Sequence, residues 1–137
     1  MNFQYKIEGG DFSNAGFVSS NIKKVLKQLN VNPVIIKKIV IALYEAEVNI
    51  VAHAFQGNIE VEIEIDKIKI NLNDTGPGIE DINKAMELGY STASEKVREM
   101  GFGAGMGLSN IKRNSDFFNI SSIVGEGTFL EIITLIK

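Results

Sequence analysis

Residues 59–72 read Ile59-Glu-Val-Glu-Ile-Glu-Ile-Asp-Lys-Ile-Lys-Ile-Asn-Leu72. Ile59, Val61, Ile63 and Ile65 alternate with Glu60, Glu62, Glu64 and Asp66, the period of a strand buried on one face and solvated on the other. Asp66-Lys67 makes a tight turn, and Ile68, Ile70 and Leu72 continue the alternation as an antiparallel partner. A hairpin with an acidic face in water needs its apolar face covered, so the rest of the chain must supply the cover.

Towards the N-terminus, Phe3 to Glu8 alternates as a short strand and Gly9-Gly10 breaks it. Asp11 or Ser13 can then N-cap a helix with the apolar stripe Val18, Ile22, Val25, Leu26 and Leu29. Asn32-Pro33 pairs a capping side chain with proline at the first helical position and starts a second helix, which runs to about Ala54. It is apolar over most of its circumference, which predicts deep burial. Glu45, Asn49 and His53 sit at i, i+4 and i+8 along one side, and Glu47 points elsewhere. Gly57-Asn58 ends this helix.

Beyond the hairpin, Asn73-Asp-Thr-Gly-Pro-Gly-Ile79 ends the strand in a rigid turn, and a short helix follows from about Glu80 to Leu88. Residues 89–106 have no clear periodicity, and a loop of that length in a compact domain is usually functional or disordered. A helix runs from Gly107 to about Phe117. Asn119–Val124 and Thr128–Ile136 are strands joined by the turn Gly125-Glu-Gly127. The order β-α-α-β-β-α-loop-α-β-β lacks βαβ alternation. It predicts an α/β protein: one domain over 1–137, a two-layer sandwich with a mixed, mostly antiparallel sheet and helices on one face.

The chain has 137 residues, 45% of them hydrophobic and 23% charged, an ordinary globular balance. A net charge of −3 argues against direct nucleic-acid binding. With no cysteine, disulfides, zinc thiolates and thiol catalysis are excluded. The first residues lack the apolar core of a signal peptide, and no uncharged apolar run approaches the ~18 residues of a membrane span. A cytoplasmic protein without a membrane partner is expected.

Chemistry first shows in the run Gly101-Phe-Gly-Ala-Gly-Met-Gly107, where glycines alternate and a helix follows. Bare backbone N–H groups leading into a helix suit a phosphate. The run is not a P-loop, for it lacks Gly-Lys-Ser/Thr, and it does not fit Gly-x-Gly-x-x-Gly after a strand.

Four segments in order carry a resemblance that spans about residues 11–137. Glu45-Ala-Glu-Val-Asn49, Asn73-Asp-Thr-Gly-Pro-Gly-Ile79, Gly103-Ala-Gly-Met-Gly-Leu-Ser109 and Gly125-Glu-Gly-Thr128 resemble the N-box, the two glycine boxes and the Gly-Thr box of one superfamily. Gyrase, the heat-shock chaperone ATPase, histidine kinases and mismatch-repair ATPases share this Bergerat-type ATP-binding domain. The resemblance implies ATP and Mg²⁺ as ligands. Asn49 would hold Mg²⁺ through its amide oxygen, or it is a buried asparagine satisfied by backbone. Glu45 would be the general base, or a solvated helix glutamate. Asp74 would accept from the adenine amine, or it is a turn aspartate. Gly76 and Gly78 would let the backbone pass the base, Ile79 would pack on its ring, and Thr128 would support Asp74 or a bridging water. Gly103, Ala104, Gly105, Met106, Gly107 and Leu108 would close on the phosphates, with 89–106 as an ATP lid. His53 reads as a partly buried helix-end histidine rather than a phosphoacceptor.

Within the superfamily, the length and the segments Leu88-Gly-Tyr-Ser-Thr-Ala93 and Gly105-Met-Gly-Leu108 resemble anti-sigma-factor and stress-switch serine/threonine kinases. This implies transfer of the γ-phosphate to a serine or threonine of a small antagonist protein, with a sigma factor or other regulator as a further partner. A homodimer through the first strand or helix is a further expectation. One position departs from the pattern: anti-sigma kinases often carry an arginine where Gly103 stands, leaving Arg98, Lys112 and Arg113 as the nearby cations. That departure keeps open an alternative, a nucleotide-gated binding module with little or no kinase activity.

Overall fold

The computed structural model describes residues 1–87 and 107–137. The hairpin that alternation predicts is the middle of the sheet: β2 spans Gln56–Ile63 and β3 spans Lys67–Thr75, antiparallel, in a register that pairs Ile63 with Ile68. Ile59, Val61, Ile63, Ile68, Ile70 and Leu72 are buried, while Glu60, Glu62 and Glu64 are exposed. Ile65 departs from the alternation and is 84% exposed. It lies in the turn closed by the Glu64 N–H donating to the Lys67 carbonyl at 2.9 Å, where the pleat no longer aims side chains at the core.

The remaining strands are β1 (Asn2–Glu8), β4 (Phe117–Ile123) and β5 (Gly127–Leu135). The sheet order is β1-β2-β3-β5-β4, and all four pairings are antiparallel. Helices α1 (Phe17–Gln28), α2 (Pro33–His53) and α4 (Gly107–Arg113) pack over one side. A single turn of helix, α3 (Ile82–Ala85), is capped by the Asp81 carboxylate accepting from the Lys84 N–H. Val18, Ile22, Leu26, Ile39 and Leu43 from the helices meet the buried residues of the sheet in one core, which Ile111 of α4 joins.

Three boundaries differ from the sequence expectation for local reasons. Asp11 and Ser13 do not cap α1. Asp11 instead accepts from the Ser13 hydroxyl and the Asn14 amide around a short 3₁₀ turn, and α1 begins after Gly16, whose φ is +97°. Gly57 does not end α2. The helix stops at His53, and Gly57 lies inside β2, where a Cβ would meet two Ile50 carbons at 2.9 Å. α4 ends at Arg113, short of Phe117, because Asp116 turns back to accept from the Leu135 N–H at 2.7 Å and starts β4. Among the described residues, no helix is long and apolar enough to cross a membrane.

Candidate active site

The sequence makes α2 amphipathic in an uneven way: a wide apolar surface with one polar side. Glu45 and Asn49 lie on that polar side, half-buried, one helical turn apart. The start of α4 rests on them. A Cβ at Gly107 would lie 3.1 Å from Asn49 Oδ1 and 3.4 Å from Glu45 Oε2, so the helix start packs closely on both side chains. Leu108 follows, half-buried against the core. The N-box pair and the end of the second glycine box are therefore in contact.

A second cluster forms at the other end of this side of α2. β3 and β5 are neighbours, and their last register pair in this direction is Asn73 with Phe129. Asp74 at the end of β3 therefore abuts Thr128 at the start of β5, and Asp74 Oδ1 accepts from the Thr128 N–H at 3.1 Å. Gly76 packs on the end of α2, where a Cβ would stand 3.0 Å from Ala54 Cα, and its N–H donates to the Glu126 carbonyl at 3.0 Å. Gly78, at φ +75°, runs beside Ile123 and Val124 with no room for a Cβ. The first glycine box and the Gly-Thr box thus form one unit, set against the C-terminus of the helix that carries Glu45 and Asn49. From Asn49 to Ala54 is about 7 Å along the helix axis.

One assignment changes in detail. Thr128 supports Asp74 through its backbone N–H, whereas its hydroxyl pairs with Ser122 Oγ at 2.9 Å. Ser122, which sequence reading did not single out, is the hub of this corner. Its hydroxyl donates to the Gly127 carbonyl at 3.0 Å and accepts from the Ile79 N–H at 2.8 Å. Alternation places Ser122 on the same face as Phe118 and Ile120, which was the available signal. Asn110 of α4 was likewise not singled out, and it moderates the pKa of Glu45. Gly103, Ala104, Gly105 and Met106, the lid over 89–106, Arg98 and the Leu88–Ala93 segment lie outside the described residues.

Burial raises the pKa of Glu45, and the hydrogen bond from Asn110 partly opposes it. Asp74 follows the same logic: burial raises it and the Thr128 N–H pulls it back. In both groups the loss of hydration outweighs the single donor. His53, the last residue of α2, is half-buried and its pKa is lowered by burial, in keeping with a helix-end histidine. Among the described residues no cluster of three or more His, Cys, Asp or Glu side chains could cage a metal. The Asn49 amide oxygen, next to Gly107, is a donor of the kind that suits Mg²⁺ taking its other ligands from phosphates and water.

An antiparallel sheet with helices on one side, an N-box helix, and two glycine-rich boxes meeting along it define a nucleotide-binding domain of the ATPase type. A family model described as histidine kinase-, DNA gyrase B-, and HSP90-like ATPase matches residues 35–136. The chain belongs to that family. The serine/threonine-protein kinase RsbT of Bacillus subtilis is 36% identical over 119 residues, 84% of each chain. An anti-sigma F factor of Caldanaerobacter subterraneus is 31% identical over 87% of this chain and 83% of its own. Among solved structures, the SiaB–SiaC complex of Pseudomonas aeruginosa matches 98% of this chain and 89% of the other at TM-score 0.59 and 12% identity. The mycobacterial sensor histidine kinase MprB matches 98% and 97% at TM-score 0.56 and 13% identity. At those identities the structural matches speak for the fold.

Proposed function

We propose that this protein is a switch-type serine/threonine kinase that transfers the γ-phosphate of ATP to a hydroxyl on a small regulatory antagonist protein. The observation that carries the reading is the packing of Gly107 against both Glu45 and Asn49, with Asp74 fixed at the far end of the same helix side. The kinase and anti-sigma relatives support the reaction class. Glu45 accepts the proton of the partner's serine or threonine hydroxyl. Asn49 contributes an oxygen ligand for Mg²⁺, and Asp74 accepts from the adenine amine beside the backbone of Gly76 and Gly78, with Ile79 against the ring. By the resemblance, the second glycine box, Gly103 to Leu108, would stabilise the phosphates. Mg²⁺ bound there supplies the charge neutralisation that phosphoryl transfer requires, so positioning is the main task left to the chain. A kinase acting on ATP and a regulatory protein would work in the cytoplasm as a single catalytic domain.

Thermal melts with ATP, ADP and GTP test the site: adenine nucleotides raise the midpoint, GTP does not, and Asp74→Asn removes the shift. Labelled ATP with Mg²⁺ and candidate antagonists encoded by neighbouring genes tests the chemistry. One partner becomes labelled on serine or threonine, and Glu45→Gln slows transfer by about 10²–10⁴-fold. No labelled partner, with no effect of Glu45→Gln, rules out the kinase. Gly103 in place of the arginine favours a second reading, a nucleotide-gated regulator-binding module. It requires partner affinity to differ between ATP and ADP with negligible turnover, since a ligand shifts only an equilibrium it binds differentially.

A further inference from the structure

We propose that Ser122 is a positioning residue that sets the base preference of the site: it takes the hydroxyl proton of Thr128, so that beside Asp74 this threonine can only accept. The inference rests on the reading of the Asp74 corner as the adenine site, and not on the phosphoryl transfer. Ser122 of β4 and Thr128 of β5 stand opposite each other across the strand pair. They share a face with the next pair, Ile120 and Leu130, which packs in the core. Counting protons fixes the direction of the bonds. A serine hydroxyl has one hydrogen and two lone pairs. Ser122 Oγ lies 3.0 Å from the Gly127 carbonyl oxygen, 2.8 Å from the Ile79 nitrogen and 2.9 Å from Thr128 Oγ1. The carbonyl has no hydrogen to give, so the one hydrogen of Ser122 goes to it. The Ile79 N–H fills one lone pair, and the Thr128 hydroxyl donates to the other. The reverse, Ser122 donating to Thr128, would leave Ser122 Oγ and the Gly127 oxygen facing each other with no proton between them.

Thr128 is tied to Asp74 at the same time. Its N–H donates to Asp74 Oδ1 at 3.1 Å, and Gly127 before it runs so close that a Cβ there would overlap the Asp74 carbonyl oxygen. With its proton committed to Ser122, Thr128 Oγ1 keeps only lone pairs. An ionised Asp74 carboxylate also only accepts. The corner therefore offers acceptors from two residues. Adenine carries an exocyclic amino donor, which such a corner takes. Hypoxanthine and guanine carry a carbonyl oxygen at the same position, which it repels. A site built around one pattern of donors rejects the wrong base because its own polar groups are then left unpaired. Without the Ser122 oxygen, the Thr128 hydroxyl is free to turn its hydrogen to a carbonyl, and the discrimination weakens. Ser122 stands outside the four boxes, yet it reaches the first glycine box through Ile79 and the Gly-Thr box through Gly127 and Thr128.

The test titrates the full chain with Mg·ADP and with Mg·IDP, whose bases differ at the amino or carbonyl edge, and needs no protein substrate. The unchanged chain binds ADP more tightly. Ser122→Ala lowers the preference for ADP over IDP about three- to tenfold, the scale of one hydrogen bond. Ser122→Cys, close in volume but with a weakly accepting sulfur, lowers it too and carries the test if Ser122→Ala does not fold. Ser122→Thr, which keeps the hydroxyl, retains most of the preference. Thr128→Val loses it to a similar extent, and adding Ser122→Ala to that variant costs no further preference, as expected of two residues acting through one bond. Equal weakening of ADP and IDP in the alanine or cysteine variant, with the preference intact, overturns the role of Ser122 alone, since a packing defect is then responsible. Independent, additive losses in the double variant overturn it as well. An unchanged chain that binds both nucleotides alike, or neither, overturns the adenine site itself.

Discussion

At the scale of single residues, Asp74 shows how a group proposed to bind adenine can work against the fold that holds it. Its carboxylate is half-buried and has one donor among the described residues, the Thr128 N–H, so its folded pKa lies above the ordinary 3.8. A raised carboxyl pKa means the folded state binds the proton more tightly than the unfolded chain. The contribution to stability is favourable below 3.8 and is lost as pH rises through the folded value. At neutral pH the ionised group is therefore a net cost, and Asp74→Asn removes it while keeping an acceptor for Thr128. The ligand-free variant is expected to melt at or above the midpoint of the unchanged chain at neutral pH. The gain should shrink as the solution is acidified, and ATP should no longer shift the midpoint. Melts across pH with and without ATP check this; a variant uniformly less stable at every pH would contradict it. Asp74 was legible because an aspartate before Thr-Gly-Pro-Gly closes an alternating strand. Ser122 was not, because alternation gives a strand residue its face but not its partner. The Ile79 N–H that Ser122 accepts from lies 43 residues away in the chain.

At the scale of elements, the join between α1 and α2 depends on Glu47, a glutamate that the sequence reading set aside. It is fully buried. Its two oxygens accept from the N–H groups of Gly16 at 3.0 Å, Val18 at 3.1 Å and Ser19 at 3.1 Å, so α2 supplies the N-terminal cap of α1. The cap is 31 residues from Gly16, which is why a search for local capping residues settled on Asp11 and Ser13. A signal existed: Leu43 and Val51, four residues to either side of Glu47, are both buried, and a charge between them must be buried and satisfied as well. Glu47→Ala leaves these donors without an acceptor, at ~1–3 kcal/mol each where buried, so a loss of at least ~3 kcal/mol is expected. Glu47→Gln keeps one acceptor oxygen and should lose less. Urea unfolding followed by circular dichroism reads both variants. A Glu47→Ala loss below ~1 kcal/mol would mean that water replaces the carboxylate and that the cap does not join the helices.

At the scale of the whole molecule, the strand order builds the site. Periodicity made the hairpin, the helices and the open acidic face legible, because burial imposes a period on the sequence. It left neighbour relations open: nothing in the alternation of residues 127–135 says that β5 lies inside β4, next to β3. That placement alone brings the Gly-Thr box to Asp74. β1 is an edge strand and α1 covers α2, both outside the residues 35–136 that the family model matches. The physical argument assigns these first elements a structural need all the same. Val18, Ile22 and Leu26 of α1 are each 0% exposed, and burying such side chains is worth roughly 1.5–3 kcal/mol apiece. Together they approach the whole stability of a domain, about 5–15 kcal/mol. Deleting residues 1–31 would also uncover β2, which β1 pairs along its length, and strip Glu47 of its donors. The truncated chain keeps all four boxes and the Asn32 cap of α2. It is expected to lose its cooperative urea transition and any thermal shift with ATP. A truncated chain that unfolds cooperatively at the midpoint of the full chain would show that α2 and the sheet from β2 onward hold the candidate site together without the first two elements.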